Sequence, residues 1–182
     1  MPINLPTGLT IRTVTFWYPA TILGITDWRT TLACLFDEDL RPARRLLAEP
    51  HSRANRGLLA APGDGDPIRC AGGPLRLLDL AATGALAASE ARARYDTWSA
   101  TGRIGARRPN PVESALLAAG PAAYVTYHSL RRLTGDALII MATGACLYPQ
   151  ETSPQALIDH MQQAILQLAD AAPDDVLVTV AA

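Results

Sequence analysis

The chain has no lysine: all 16 of its basic residues are arginine. Every positive site is therefore a planar guanidinium, able to hold a carboxylate or phosphate through two parallel hydrogen bonds. Aromatic residues are scarce, at 5%, so Leu, Ile, Val and Ala must build the core. Only three cysteines occur, Cys34, Cys70 and Cys146, odd in number and far apart. That pattern excludes a disulfide framework of even count and any CxxC redox or zinc signature. Buried thiols in a reducing cytosol are the expectation.

Long apolar runs are also missing. Two uncharged stretches, 114–130 and 137–150, fall short of the roughly 20 apolar residues of a spanning helix and are broken by glycine or polar residues. The first residues, Met1-Pro2-Ile3-Asn4-Leu5-Pro6, have no basic segment followed by an apolar block, so they do not read as a secretory signal. No Walker loop, GxGxxG, GxSxG, HExxH or paired-carboxylate signature occurs. Gly63-Asp64-Gly65-Asp66 lacks the further oxygen donors of a calcium loop and reads as a turn. The expectation is a cytoplasmic protein without membrane contact, metal or cofactor.

What is present fits one globular domain over 1–182. The apolar fraction is 49% and the charged fraction 18%, enough for a full core and against disorder. Charge is unevenly placed. Residues 1–39 carry a net −2, residues 40–132 a net +7 and residues 133–182 a net −6, giving −1 in all. Either the acidic end offsets the basic middle inside the fold, or the arginines face an anionic partner: a small ligand, nucleic acid or an acidic protein.

The periodicities predict an α+β or α/β protein. Leu9 to Tyr18, rich in Thr and β-branched residues, reads as a strand closed by Pro19. Residues 27–40 fit either a helix or a strand, and Pro42 opens a short helix through Leu47. A long loop near 51–73 follows, with room for a short strand around Ile68. Leu75 to Trp98 reads as helical with a break near Gly84, and Glu90 and Arg94 are spaced to pair on it. Asn110-Pro111-Val112-Glu113 is a helix start, ended by Gly120-Pro121. Ala122–Leu130 and Ala137–Cys146 read as two strands of a hairpin near 122–146, turning at Thr134-Gly135-Asp136. Thr152 with Gln155 starts an amphipathic helix near 153–170, with Leu157, Met161, Ala164, Ile165 and Leu168 on one face. Val176, Val178 and Val180 alternate as a last strand. A single mixed or antiparallel sheet packed against the helices near 75–98 and 153–170 follows.

Two basic clusters are candidate anion sites. Arg103, Arg107 and Arg108 precede the Asn110 helix start, where free backbone N–H groups and the helix dipole favour negative charge. Arg53 and Arg56 sit in the long loop. A possible pocket gathers His128, Tyr127 and Glu113, with strand alternation placing His128 beside Thr126 and Tyr124; His160 reads as a surface residue. The leading functional expectation is a non-catalytic binding or interaction module with an arginine-rich surface, within a larger assembly. The alternatives are a small enzyme with a site around His128 and a homo-oligomeric structural protein.

Overall fold

The structure, a computed structural model, describes residues 7, 9–21, 57–61 and 69–181. The expectations for residues 27–40 and 42–47, for Ile68 and for the Arg53/Arg56 cluster lie outside the described residues. Among the described residues four short strands come first: β1 (Thr13–Tyr18), β2 (Leu58–Leu59), β3 (Arg69–Cys70) and β4 (Gly72–Pro74). A 3-10 turn at Leu75–Leu77 leads into helices α1 (Leu80–Thr101), α2 (Pro111–Ala118) and α3 (Pro121–Thr134). Strands β5 (Ala137–Ile140) and β6 (Ala145–Leu147), helix α4 (Pro154–Ala169) and strand β7 (Val176–Ala181) complete the order.

The fold is α+β. A mixed five-stranded sheet has the order β4-β7-β1-β5-β6, and β2 and β3 form a small antiparallel pair. The β-branched strand β1 lies at the centre. It runs parallel to β5, with Val14 opposite Ala137 and Trp17 opposite Ile140. It runs antiparallel to β7, with Thr15 opposite Thr179. Leu138 and Leu177 are fully buried on β5 and β7; each such side chain contributes about 2 kcal/mol. They join Trp17, Leu58, Cys70 and Leu78 in one core cluster. A second cluster, with Ala91, Leu116, Leu117, Tyr124, Tyr127 and Met161, lies among the helices. Helix α4 serves both, sending Ala164 and Leu168 to the first and Leu157, Ile158 and Met161 to the second.

The segment Ala122–Leu130 is a helix, not a strand. Pro121 lacks the N–H that a first helical position leaves unbonded, so it opens α3 instead of merely ending α2. Alternation also fails: Tyr124 and Tyr127 are both buried, a spacing of three that belongs to one face of a helix. A hairpin does fall in the expected stretch, formed by β5 and β6, with Leu138 opposite Leu147. Thr134-Gly135-Asp136 is thus the junction between α3 and β5 rather than a hairpin turn.

Three local expectations shift. Helix α1 runs through Gly84 unbroken, and Ser129 Oγ of α3 donates to the Gly84 carbonyl at 3.0 Å. Ser153, not Thr152, caps α4, its hydroxyl accepting from Ala156 N–H. Glu90 pairs with Arg69 and Arg132 instead of Arg94. The Asn110 start of α2 forms as read, its side chain accepting from Glu113 N–H at 2.8 Å.

Both ends of β1 are held by buried aspartates. At the first end, Asp136 Oδ2 accepts from the backbone N–H of Arg12 at 2.8 Å and of Thr13 at 3.0 Å, while Arg131 grips both carboxylate oxygens. At the other, Asp175 accepts from Trp17 Nε1 at 2.9 Å, from Ala20 N–H at 2.7 Å and from Ala172 N–H at 2.9 Å. Gly135 makes the first junction possible. Its φ is +67°, and a Cβ there would stand 2.9 Å from the Thr13 carbonyl oxygen.

Two predictions follow from this frame. A Cβ on Gly72 would stand 2.1 Å from the Leu177 carbonyl oxygen and 2.7 Å from Val178 Cα. Gly72→Ala therefore pushes β4 off β7, and urea denaturation is expected to show a loss of about 3 kcal/mol; an unchanged midpoint would contradict that close approach. For Asp136, burial pushes the carboxyl pKa up, but the Arg131 guanidinium and the N–H groups of Arg12 and Thr13 outweigh it and hold it below the ordinary value. The stabilisation is therefore complete above about pH 4 and is lost as the pH falls through the depressed folded value. Asp136→Asn is expected to cost about 3 kcal/mol at pH 7, because Arg131 loses its charge partner. Urea midpoints measured from pH 7 to pH 2 should show a shallower acid loss in this variant than in the parent.

Candidate functional site

The helical register of α3 decides the site. Tyr124, Tyr127, His128 and Arg131 are spaced by three and four, which places them on one side of the helix. The Tyr124 and His128 rings lie 4.3 Å apart between centroids, and Tyr127 meets His128 edge-on at 5.1 Å. The expected grouping of His128 with Thr126 came from the strand reading and falls with it.

Beside this face lies a cleft of about 300 Å³. Leu9, Thr10, Arg12 and Thr13 line it from the segment entering β1, and Arg94 from α1. Arg107 and Asn110 line it from the loop before α2, and Val112, Glu113 and Leu116 from α2 itself. Tyr127, His128, Arg131 and Arg132 come from α3, with Asp136 just beyond. Five guanidiniums and two carboxylates thus line it, with Glu90 outside the lining paired to Arg132.

Three of the five arginines are engaged. Arg107 forms a two-pronged pair with Glu113, at 2.6 and 3.0 Å. Arg131 does the same with Asp136, and Arg132 reaches Glu90 at 2.6 Å. Arg12 and Arg94 have no carboxylate partner among the described residues. Three buried polar atoms also lack a hydrogen-bond partner among the described residues: Arg94 Nε, Tyr124 Oη and His128 Nε2.

These surroundings set the protonation states. Burial, reinforced by Arg94, Arg131 and Arg132, pushes the His128 pKa down to about 3, against a smaller opposing pull from Asp136. The imidazole is therefore neutral at pH 7. Burial pushes Tyr127 up to about 12 and also raises Tyr124. A histidine this weakly basic, with no carboxylate orienting its Nε2, is poorly matched to proton transfer near neutrality. No group of three or more potential metal ligands occurs among the described residues.

Of the sequence candidates, Arg107, Glu113, Tyr127 and His128 converge in the cleft. Arg103 and Arg108 are exposed and do not line it, and Arg53 and Arg56 lie outside the described residues. Sequence reasoning missed Arg12, Arg94, Arg131, Arg132 and Asp136. The signal for Arg131 was its spacing of three and four from His128 and Tyr127, visible only once α3 is read as a helix. His160, read as a surface residue, is partly buried, and burial lowers its pKa. No helix among the described residues is long and apolar enough to cross a membrane. Comparison with known proteins brings no relative: no protein family, curated protein or solved structure matches the chain.

Proposed function

We propose that the protein is a non-catalytic binding module whose arginine-lined cleft holds a small anionic ligand. The observation that carries this reading is the convergence of five guanidiniums on one concave site with only two carboxylates, two of the five having no carboxylate partner among the described residues. Arg12 is exposed and Arg94 half-buried, and an anion in the cleft would give both the counter-charge they lack among the described residues. The size and shape favour a small molecule over nucleic acid. A duplex or strand needs arginines spread along a surface, whereas here they gather in about 300 Å³, at the lower end of small-ligand sites. The apolar side chains of Leu9, Val112 and Leu116 on the same walls suit a ligand with an organic body. The enzyme reading is the less favoured one, because His128 is weakly basic and its Nε2 has no partner among the described residues.

Titration with inorganic phosphate and with citrate, followed by calorimetry at about 10 mM salt, tests the proposal. Binding should occur and weaken on going to about 150 mM salt, where exposed charges such as Arg12 are screened. Arg94→Gln should lower the affinity about tenfold, equivalent to about 1.4 kcal/mol. Absence of binding by either anion at low salt would overturn the reading.

A further inference from the structure

Three of the five cleft arginines are closed pairs. Arg107 and Arg131 each hold a carboxylate of the chain with both prongs of the guanidinium, and Arg132 holds Glu90. These charges cancel locally, so the lining keeps two open positive charges, those of Arg12 and Arg94. Arg12 is exposed and Arg94 half-buried, so both have accessible surface, and both line the cleft. They rise from different walls. Arg94 belongs to α1 and Arg12 to the segment entering β1; α1 and β1 each pack against α3 and have no substantial packing on each other. Helix α3, with Tyr127, His128 and Arg131, supplies the lining between them.

We propose that the cleft selects a short dicarboxylate, one carboxylate against Arg12 and the other against Arg94, its methylene chain lying on the apolar side chains of Leu9, Val112 and Leu116. This deepens the anion-cleft reading and rests on it. Two open charges call for a dianion, and their origin on two walls calls for a dianion whose charges stand apart. A phosphate monoester concentrates both charges on one group, which meets one wall. The carboxylate is also the partner that the cleft's own arginines take: Glu113 and Asp136 each sit in a guanidinium fork, the two-pronged match of planar groups. A cleft of about 300 Å³ is at the small end of ligand sites, which limits the chain to a few carbons. Neither open arginine selects a diacid alone, because a monocarboxylate satisfies one and leaves the other unmatched. Selection arises because the second carboxylate is delivered within the same molecule, at high effective concentration.

The test uses the full chain and low-salt calorimetry with three diacids, succinate, glutarate and adipate, each set against the monocarboxylate of the same carbon number, butyrate, pentanoate and hexanoate. At least one diacid should bind about tenfold or more tightly than its monocarboxylate. That comparison is made on the parent chain and depends on no variant. Arg12→Gln and Arg94→Gln should each bring the preferred diacid down to the affinity of its monocarboxylate, since either change removes one of the two anchor points. Two results would overturn the dicarboxylate assignment while leaving the anion cleft standing. One is phosphate or citrate binding with no diacid bound more tightly than its monocarboxylate, which would mark a single anion position. The other is a diacid preference that survives Arg12→Gln or Arg94→Gln, which would place the second carboxylate on another group. If phosphate, citrate and the diacids all fail to bind, the cleft reading itself fails.

Discussion

The Arg131–Asp136 pair is the interaction on which the rest of the structure depends. Asp136, 4% exposed, faces Arg131 through both oxygens and takes the N–H groups of Arg12 and Thr13 on one of them. One carboxylate thus joins the end of α3 to the beginning of the central strand. A buried ion pair is weak evidence of net stabilisation, because desolvation offsets much of the attraction. Its value here is geometric. It sets where the chain enters β1, and with it where Leu9, Thr10 and Arg12 stand relative to α3. The cleft is the space left between those two elements and α2.

Among the described residues the uneven charge along the chain is met by six ion pairs, three of them between residues no more than six apart in sequence. Arg131–Asp136 and Arg76–Asp174 link the basic middle to the acidic end. The other described pairs, Arg69 and Arg132 with Glu90, Arg92 with Asp96 and Arg107 with Glu113, stay within the middle. Most are partly exposed and contribute little individually. The acidic end therefore does not blanket the basic middle, and Arg12 and Arg94 face the cleft without a carboxylate partner among the described residues. Among the described residues positive charge is not wholly neutralised, and Arg103 and Arg108 stand exposed outside the cleft. Five of the described arginines gather where the chain folds into a concavity.

The sequence made the sheet more legible than the site. The β-rich composition of Val14, Phe16 and Tyr18 among threonines announced β1, and the alternating valines announced β7, although Val176 to Thr179 are buried on both faces. Leu157 to Leu168 announced α4 by the same logic with a helical repeat. Helix α3 reads locally as a strand because Tyr124, Val125, Thr126 and Tyr127 favour strands, while the packing of α3 against α1, with Ser129 donating to the Gly84 carbonyl, prevails in the folded chain. That one misassignment hid the site, since only helical geometry sets Tyr124, His128 and Arg131 side by side. Contacts such as Arg12 with Asp136, far apart in the chain, leave no local pattern to read.

The central claim is that Arg131 and Asp136 act as one unit holding α3 to β1. A double-mutant cycle in urea denaturation at pH 7, with Arg131→Gln, Asp136→Asn and the double variant, tests it most directly. The account predicts a coupling of about 2 kcal/mol, the double variant losing much less than the sum of the single ones. Additive losses, with coupling near zero, would contradict it.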